Sequence, residues 1–150
     1  MEISKNKLMR LKKTEFLRKR FFYLFDAAYA NPMGLPDYAF AKLDIREAYE
    51  FAKTNSTDLE GLPCSCGCGT PEGAKAHGSR VHTRGLIDCF TEGDINLAGK
   101  WDSHASECGL CYEDALYAKN LYLEGNSKQE VIDNILEMQS KRKFSKEVVY

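Results

Sequence analysis

The spacing of the cysteines constrains this chain more than any other feature of its sequence. Residues 63–69 read Pro-Cys-Ser-Cys-Gly-Cys-Gly, so three thiols stand at alternate positions among small residues. In an extended backbone, alternate side chains project to the same side, and glycines let the chain fold closely around a small ligand. We therefore predict that the sulfurs of Cys64, Cys66 and Cys68 face one point.

A second cluster follows as His104-x-x-x-Cys108-x-x-Cys111. On a helix these residues occupy one stripe over the first two turns, where the helix N-terminus favours thiolate over thiol. Cys89 is the sixth cysteine of the chain. The predicted metal ligands are Cys64, Cys66, Cys68, Cys89, His104, Cys108 and Cys111.

Clustered thiolates select Zn²⁺, Cu(I) or iron–sulfur clusters. One tetrahedral zinc ion binds four ligands, and the chain has six cysteine sulfurs. The site could therefore hold several ions, or some of the thiols could be free. We predict a metal-binding protein that uses Cu(I) or Zn²⁺ for metal handling or for structural stabilisation. An electron-transfer protein with an iron–sulfur cluster is the first alternative, and a thiol-redox protein using Cys108 and Cys111 is the second.

Three further interpretations of the cysteines compete with metal binding. Six thiols could form three disulfides, but thiols in the cytoplasm stay reduced. Unliganded buried thiols would not cluster in this way. The Cys-x-x-Cys pair that starts at Cys108 suggests redox chemistry but lacks a thioredoxin-like βαβ context.

Other polar residues near the clusters remain ambiguous. His77 and His82 lie in an irregular section, and such histidines are more often surface residues than ligands. Asp102 either caps the helix that carries His104 or orients its imidazole. No phosphate-binding loop, nucleophile elbow or pair of catalytic carboxylates stands out, so we predict no catalytic residue.

Hydrophobic periodicity predicts a mainly α fold. We expect helices near 6–30, 37–43, 45–54, from 102 or 103 to 124, and 127–139. The last would start at the capping box formed by Ser127 and Glu130. Between 55 and 101 the helical period disappears among glycines, and we expect a metal site to hold that section. The predicted organisation is an N-terminal helix (1–30), a cysteine-rich helical domain (31–140) and a tail (141–150).

The first 20 residues carry a net charge of +6, whereas the remainder carries −7. Such a basic helix can bind a protein partner or a membrane surface, with Phe21–Phe25 as its apolar side, or can simply be solvated. We do not expect nucleic acid to be the partner. Asp26 interrupts an apolar run too short for a signal peptide, and no run approaches the roughly 18–20 residues needed to span a bilayer. We therefore expect a cytoplasmic protein.

At these residues the sequence resembles a family of small bacterial and archaeal proteins named after a Pro-Cys-Tyr-Cys-Gly-Cys motif. Ser65 occupies the position at which the family motif has tyrosine. The resemblance covers roughly residues 45–138. The matching segments are Pro63–Gly69, Asp88–Phe90, Trp101–Ala105, Cys108–Cys111 and Gly125–Ser127.

The resemblance implies a shared cysteine site, and His82 is the nearest match to a family histidine before Asp-Cys-Phe. Family members are commonly described as exported lipoproteins of unsettled activity. This chain departs from them because its first cysteine is Cys64, which leaves no N-terminal cysteine for lipid attachment.

Overall fold

A computed structural model describes the backbone of residues 31–147 and the side chains of residues 31–142. The helix predicted within residues 1–30 lies outside the described residues. The same holds for the prediction that it binds a protein partner or a membrane surface. The fold described below is that of one unit, residues 35–150.

The prediction of a mainly α fold is confirmed. The described part of the chain has six α-helices, two short 3-10 helices and one two-stranded antiparallel hairpin. The α-helices are α1 (Leu43–Thr54), α2 (Ser56–Leu59), α3 (Pro71–Ala76), α4 (His104–Glu107), α5 (Gly109–Leu123) and α6 (Lys128–Glu147). The 3-10 helices span Asp37–Phe40 and Leu86–Cys89, and the strands are β1 (Thr91–Glu92) and β2 (Lys100–Trp101). Among the described helices, none combines the length and apolar character needed to cross a membrane.

The core forms where α1 packs on α5 and α5 packs on α6. The predicted stripe of α1 is buried: Ile45 is 2% exposed, and Ala48, Tyr49 and Ala52 are 0% exposed. On α5 the small residues Ala115 and Ala118 are also fully buried. Small side chains allow helix axes to approach closely, and the same helix carries Cys111 in its first turn.

The predicted capping box at the start of α6 is present. The side chain of Glu130 accepts hydrogen bonds from the backbone N–H and the hydroxyl of Ser127 at 2.7 Å each. Val131 and Ile135 bury completely, whereas Met138, predicted on the same stripe, is half-buried. The helix continues to Glu147, into the range where the sequence predicted a tail.

Two corrections concern the middle of the chain. The single helix predicted from residue 102 or 103 is broken at Cys108, whose backbone is extended (φ −107°, ψ 105°). The glycine at position 109 contributes to the break, because glycine is a weak helix former. The section from 55 to 101 is largely irregular as predicted, but it also contains α2, α3, a 3-10 helix and the hairpin.

A close backbone contact at Gly85 joins the two halves of this section. Gly61 N–H donates to the carbonyl of Arg84 at 2.8 Å, and Leu86 N–H donates to the carbonyl of Leu62 at 2.9 Å. Gly85 has a φ of +85°, and a Cβ there would lie 2.6 Å from the Leu62 carbonyl oxygen. Only glycine suits this position, and the contact brings the 3-10 helix that ends at Cys89 beside the loop that starts at Cys64.

A buried carboxylate fixes the same 3-10 helix from the other side. Asp88 is 1% exposed, and it accepts hydrogen bonds from the backbone N–H and the Nε of Arg84 at 2.9 and 2.7 Å. Arg80 Nη2 donates to the carbonyls of Asp88 and Thr91 at 2.8 and 2.6 Å. A buried charge is tolerated when it is paired and hydrogen-bonded in this way, and the network positions Cys89.

Candidate metal centre

The cysteine loop is a series of turns, so the prediction of an extended backbone at residues 64–68 is wrong. Gly67 adopts a φ of +81°, which reverses the chain between the second and third cysteines. The backbone N–H of Cys68 donates to Cys66 Sγ at 3.5 Å. As a result Cys64 and Cys66 point to one place, whereas Cys68 turns to another.

Four cysteines from three separate segments converge in what we call the inner set: Cys64, Cys66, Cys89 and Cys111. Their four Sγ atoms all lie within 4.8 Å of one another. The Sγ of Cys64 lies 3.4 Å from that of Cys89 and 3.5 Å from that of Cys111. Cys66, Cys89 and Cys111 are buried and Cys64 is half-buried.

A second group, the histidine set, consists of Cys66, His82, Cys89 and His104, whose ligand atoms also lie within 4.8 Å of one another. His82 is 4% exposed, and its Nδ1 lies 3.4 Å from Cys89 Sγ. The rings of His82 and His104 have centroids 5.1 Å apart. Because this set shares Cys66 and Cys89 with the inner set, those two sulfurs can bridge two ions.

The third group, the outer set, contains His104, Cys108 and Cys111 at the junction of α4 and α5. His104 and Cys108 are half-buried, whereas Cys111 is fully buried. Cys111 also belongs to the inner set, so one buried sulfur joins the two groups.

Two candidate residues lie at the edge of these groups. Cys68 belongs to none of the three, although its Sγ lies 3.6 Å from His104 Nε2. His77 is exposed, and its ring centroid lies 6.1 Å from that of His104.

Hydrogen bonds between the thiols shift their pKa values in opposite directions. A hydrogen bond from Cys111, supported by others from Cys64 and Cys89, lowers the pKa of Cys66 far below its ordinary value. The pKa of Cys111 is raised, mainly by its hydrogen bond to Cys108, because a donating thiol keeps its proton. The same bond lowers the pKa of Cys108 to about 6. A metal ion binds cysteine as the thiolate, so metal binding would release the protons held in these hydrogen bonds.

Polar residues around the cluster hold its backbone in place. Asp114 is fully buried on α5; its Oδ2 accepts from the backbone N–H of Ser65 at 2.8 Å, and its Oδ1 from Arg142 Nη1 at 2.8 Å. Asp102 Oδ1 accepts from the backbone N–H of His104 at 2.9 Å. Asp102 therefore holds the first backbone N–H of α4.

The structure brings together six of the seven residues predicted as ligands and leaves Cys68 at the edge. It adds His82, which the pattern of residues alone left open. The signal for His82 was weak because no regular element was predicted between residues 55 and 101, so the direction of its side chain relative to Cys89 could not be predicted. The close approach depends on the turn at Gly85 between the two residues.

A family model described as "Protein of unknown function with PCYCGC motif" matches residues 28–147. Searches of the curated proteins and of the solved structures found no match.

Proposed function

The chain belongs to the PCYCGC motif family, and from the geometry of its cysteines we propose that it binds a thiophilic metal ion, Cu(I) or Zn²⁺, in the inner set. The mutual approach of four sulfurs from Cys64, Cys66, Cys89 and Cys111 carries this proposal. All six cysteines are free thiols, so each is available as a ligand.

The spacing of the inner sulfurs suits a single ion. Four sulfurs placed tetrahedrally about 2.3 Å from one ion lie about 3.8 Å apart. Two of the sulfur pairs, from Cys64 to Cys89 and to Cys111, are 3.4 and 3.5 Å apart. Only small shifts are needed to surround an ion of this size.

The same spacing disfavours an iron–sulfur cluster. In a four-iron cluster each cysteine binds a different iron atom. The sulfurs are then separated by an iron–iron distance and two outward iron–sulfur bonds, which exceeds the 4.8 Å that encloses the inner set. We therefore rank electron transfer below binding of Cu(I) or Zn²⁺.

Copper and zinc imply different roles. Cu(I) accepts two or three soft ligands and exchanges them readily, which suits storage or delivery. Zn²⁺ closed by four cysteines suits structural stabilisation of the irregular section. The partly exposed ligands beside the inner set favour metal handling over a purely structural role.

Anaerobic metal titration of three proteins tests the proposal. The wild type should bind Cu(I) or Zn²⁺ tightly, and Cys66→Ser should lose most of that affinity because it removes an inner sulfur. Cys68→Ser is the matched control, since it changes the same loop but lies outside the inner set. Equal affinities for all three proteins, or no binding by the wild type, would contradict the proposal.

A thiol-redox function is the second candidate, and the position of Cys108 favours it. Cys108 directly precedes α5, a position at which a helix stabilises thiolate. Its thiolate would attack oxidised glutathione and release one reduced glutathione. Cys111 would then displace the second and close a disulfide. Loss of this reaction in Cys108→Ser would support the function, whereas unreactive, metal-saturated thiols would count against it.

A further inference from the structure

The three ligand sets differ in how a metal ion can reach them. The inner set has one half-buried ligand, Cys64, and the histidine set has one, His104. The outer set has two, His104 and Cys108, together with the buried Cys111. An ion that arrives on a small carrier must gain protein ligands before it loses those of the carrier, so two accessible ligands in one set give the most direct capture.

We propose that the outer set, His104, Cys108 and Cys111, is a loading site that takes a soft metal ion from a small-thiol complex and passes it to the inner set. This inference rests on the proposed function, because it requires the inner set to be the destination.

The shared sulfur of Cys111 makes the transfer possible without releasing the ion into water. Cys64 Sγ lies 3.5 Å from Cys111 Sγ, within reach of an ion already bound to Cys111. Bonds to the ion that form at Cys64 and Cys66 replace those that break at Cys108 and His104. Cys64 loses its proton to water when it binds the ion, and Cys108 and His104 are left as thiolate and neutral imidazole. Of the carrier's thiolates, one takes the proton that Cys111 releases and any other takes a proton from water, so the carrier departs as free thiol and no oxidation state changes.

His104 cannot serve the outer set and the histidine set at the same time. A neutral imidazole offers one lone pair to a metal, so His104 binds an ion in the outer set or in the histidine set, but not in both. An ion held in the outer set must therefore give up His104 before the histidine set can be completed.

The two half-buried cysteines offer a matched test. Cys108 belongs only to the outer set and Cys64 only to the inner set, and each can be changed to serine. The full chain and both variants are mixed anaerobically with the Cu(I)–glutathione complex. Stopped-flow absorption of the copper–thiolate bond gives the loading rate, and competition with a Cu(I) chelator gives the retention of the ion.

Cys108→Ser should load more slowly by roughly tenfold, within the range over which association rates change among variants of one site. It should hold the ion as tightly as the wild type once loaded. Cys64→Ser should capture Cu(I) at nearly the wild-type rate and lose it faster to the chelator.

Loading of Cys108→Ser at the wild-type rate, with wild-type retention, would overturn the loading site and leave the inner set intact. Equal slowing in both variants would also overturn it, because capture would then not distinguish the sets. Failure of the wild type to take up Cu(I) would overturn this inference for copper, and failure to bind Zn²⁺ as well would overturn the proposed function with it.

Discussion

His82 has partners on both nitrogens of its ring. Its Nδ1 lies 3.4 Å from Cys89 Sγ, and its Nε2 lies 3.2 Å from Ser79 Oγ. Metal-binding histidines commonly use one nitrogen for the ion and hold the other by a hydrogen bond, which fixes the tautomer and the ring orientation. Ser79 is therefore placed to orient His82 towards the histidine set.

Replacing Ser79 by alanine tests this arrangement. Loss of such a supporting hydrogen bond costs roughly 10- to 100-fold in metal affinity. We expect Ser79→Ala to lower the affinity for an ion bound through His82 by about tenfold. Ser140→Ala is the control, because its exposed hydroxyl only donates to the Glu137 carbonyl. Equal metal affinities for the two variants in competition titrations would show that the Ser79 hydroxyl does not support an ion bound through His82.

Helix α3 approaches the backbone of the cysteine loop closely at Gly73. A Cβ at Gly73 would overlap the carbonyl of Gly67, so α3 and the loop can meet only because residue 73 has no side chain. A Cβ at Gly69 would meet nothing closer than 4.0 Å. A side chain can therefore be added at Gly69 but not at Gly73.

We expect Gly73→Ala to displace the loop that carries Cys64, Cys66 and Cys68, because the new methyl group would overlap the Gly67 carbonyl. The displaced loop should weaken metal retention by an order of magnitude or more. Gly69→Ala should leave retention unchanged, since its side chain has space and an ordinary backbone conformation. Chelator competition measures both variants. A Gly73→Ala protein with wild-type retention would show that the loop position does not govern the site.

Helices α5 and α6 are tied to the cysteine loop by one buried ion pair. Asp114 is fully buried and binds both Arg142 and the backbone of Ser65. Asp114→Asn removes the charge from this pair and should lower the free energy of unfolding by about 1–3 kcal/mol. Chemical denaturation of the metal-free protein measures the loss.

The neighbouring carboxylate provides the control for this change. Glu113 also contacts Arg142, at 3.3 Å, but its side chain is 54% exposed. Exposed ion pairs contribute little, so Glu113→Gln should change the stability by less than about 1 kcal/mol. A loss as large as that of Asp114→Asn would mean that burial does not set the strength of this pair.

The sequence predicted those elements that depend on local signals. The stripe of Ile45, Ala48 and Tyr49 identified α1, and Ser127 with Glu130 marked the start of α6. The break at Cys108 was not predictable from periodicity, because residues 104, 108 and 111 fit an unbroken helix equally well. The extension of α6 beyond residue 140 was missed as well, and there Arg142 reaches Asp114, a contact between residues far apart in sequence.

At the scale of the whole molecule, the candidate site lies where three segments meet, and backbone and polar contacts also join these segments. It links the cysteine loop, the 3-10 helix ending at Cys89 and the N-terminal part of α5. The helical core of α1, α5 and α6 is held by apolar packing instead. The clustering was predictable from cysteine spacing, but the assignment of each cysteine to a ligand set was not, because it depends on turns at Gly67 and Gly85.

Metal removal should therefore destabilise the irregular section more than the helical core. A ligand that binds only the folded state stabilises it by about 4 kcal/mol when its free concentration is 1,000 times its Kd. We expect a chelator to expose Arg80 and Arg84 to trypsin while far-ultraviolet circular dichroism keeps most of its helical signal. Unchanged cleavage after complete metal removal would show that the ion does not hold the irregular section.

Elemental analysis of anaerobically purified protein, together with a free-thiol count, shows whether the inner set holds a soft metal ion. We expect at least one copper or zinc ion per chain and fewer reactive thiols than the six cysteines of the sequence. Metal-free protein that neither takes up added Cu(I) or Zn²⁺ nor protects its thiols, or protein with three disulfides, would contradict the proposed function.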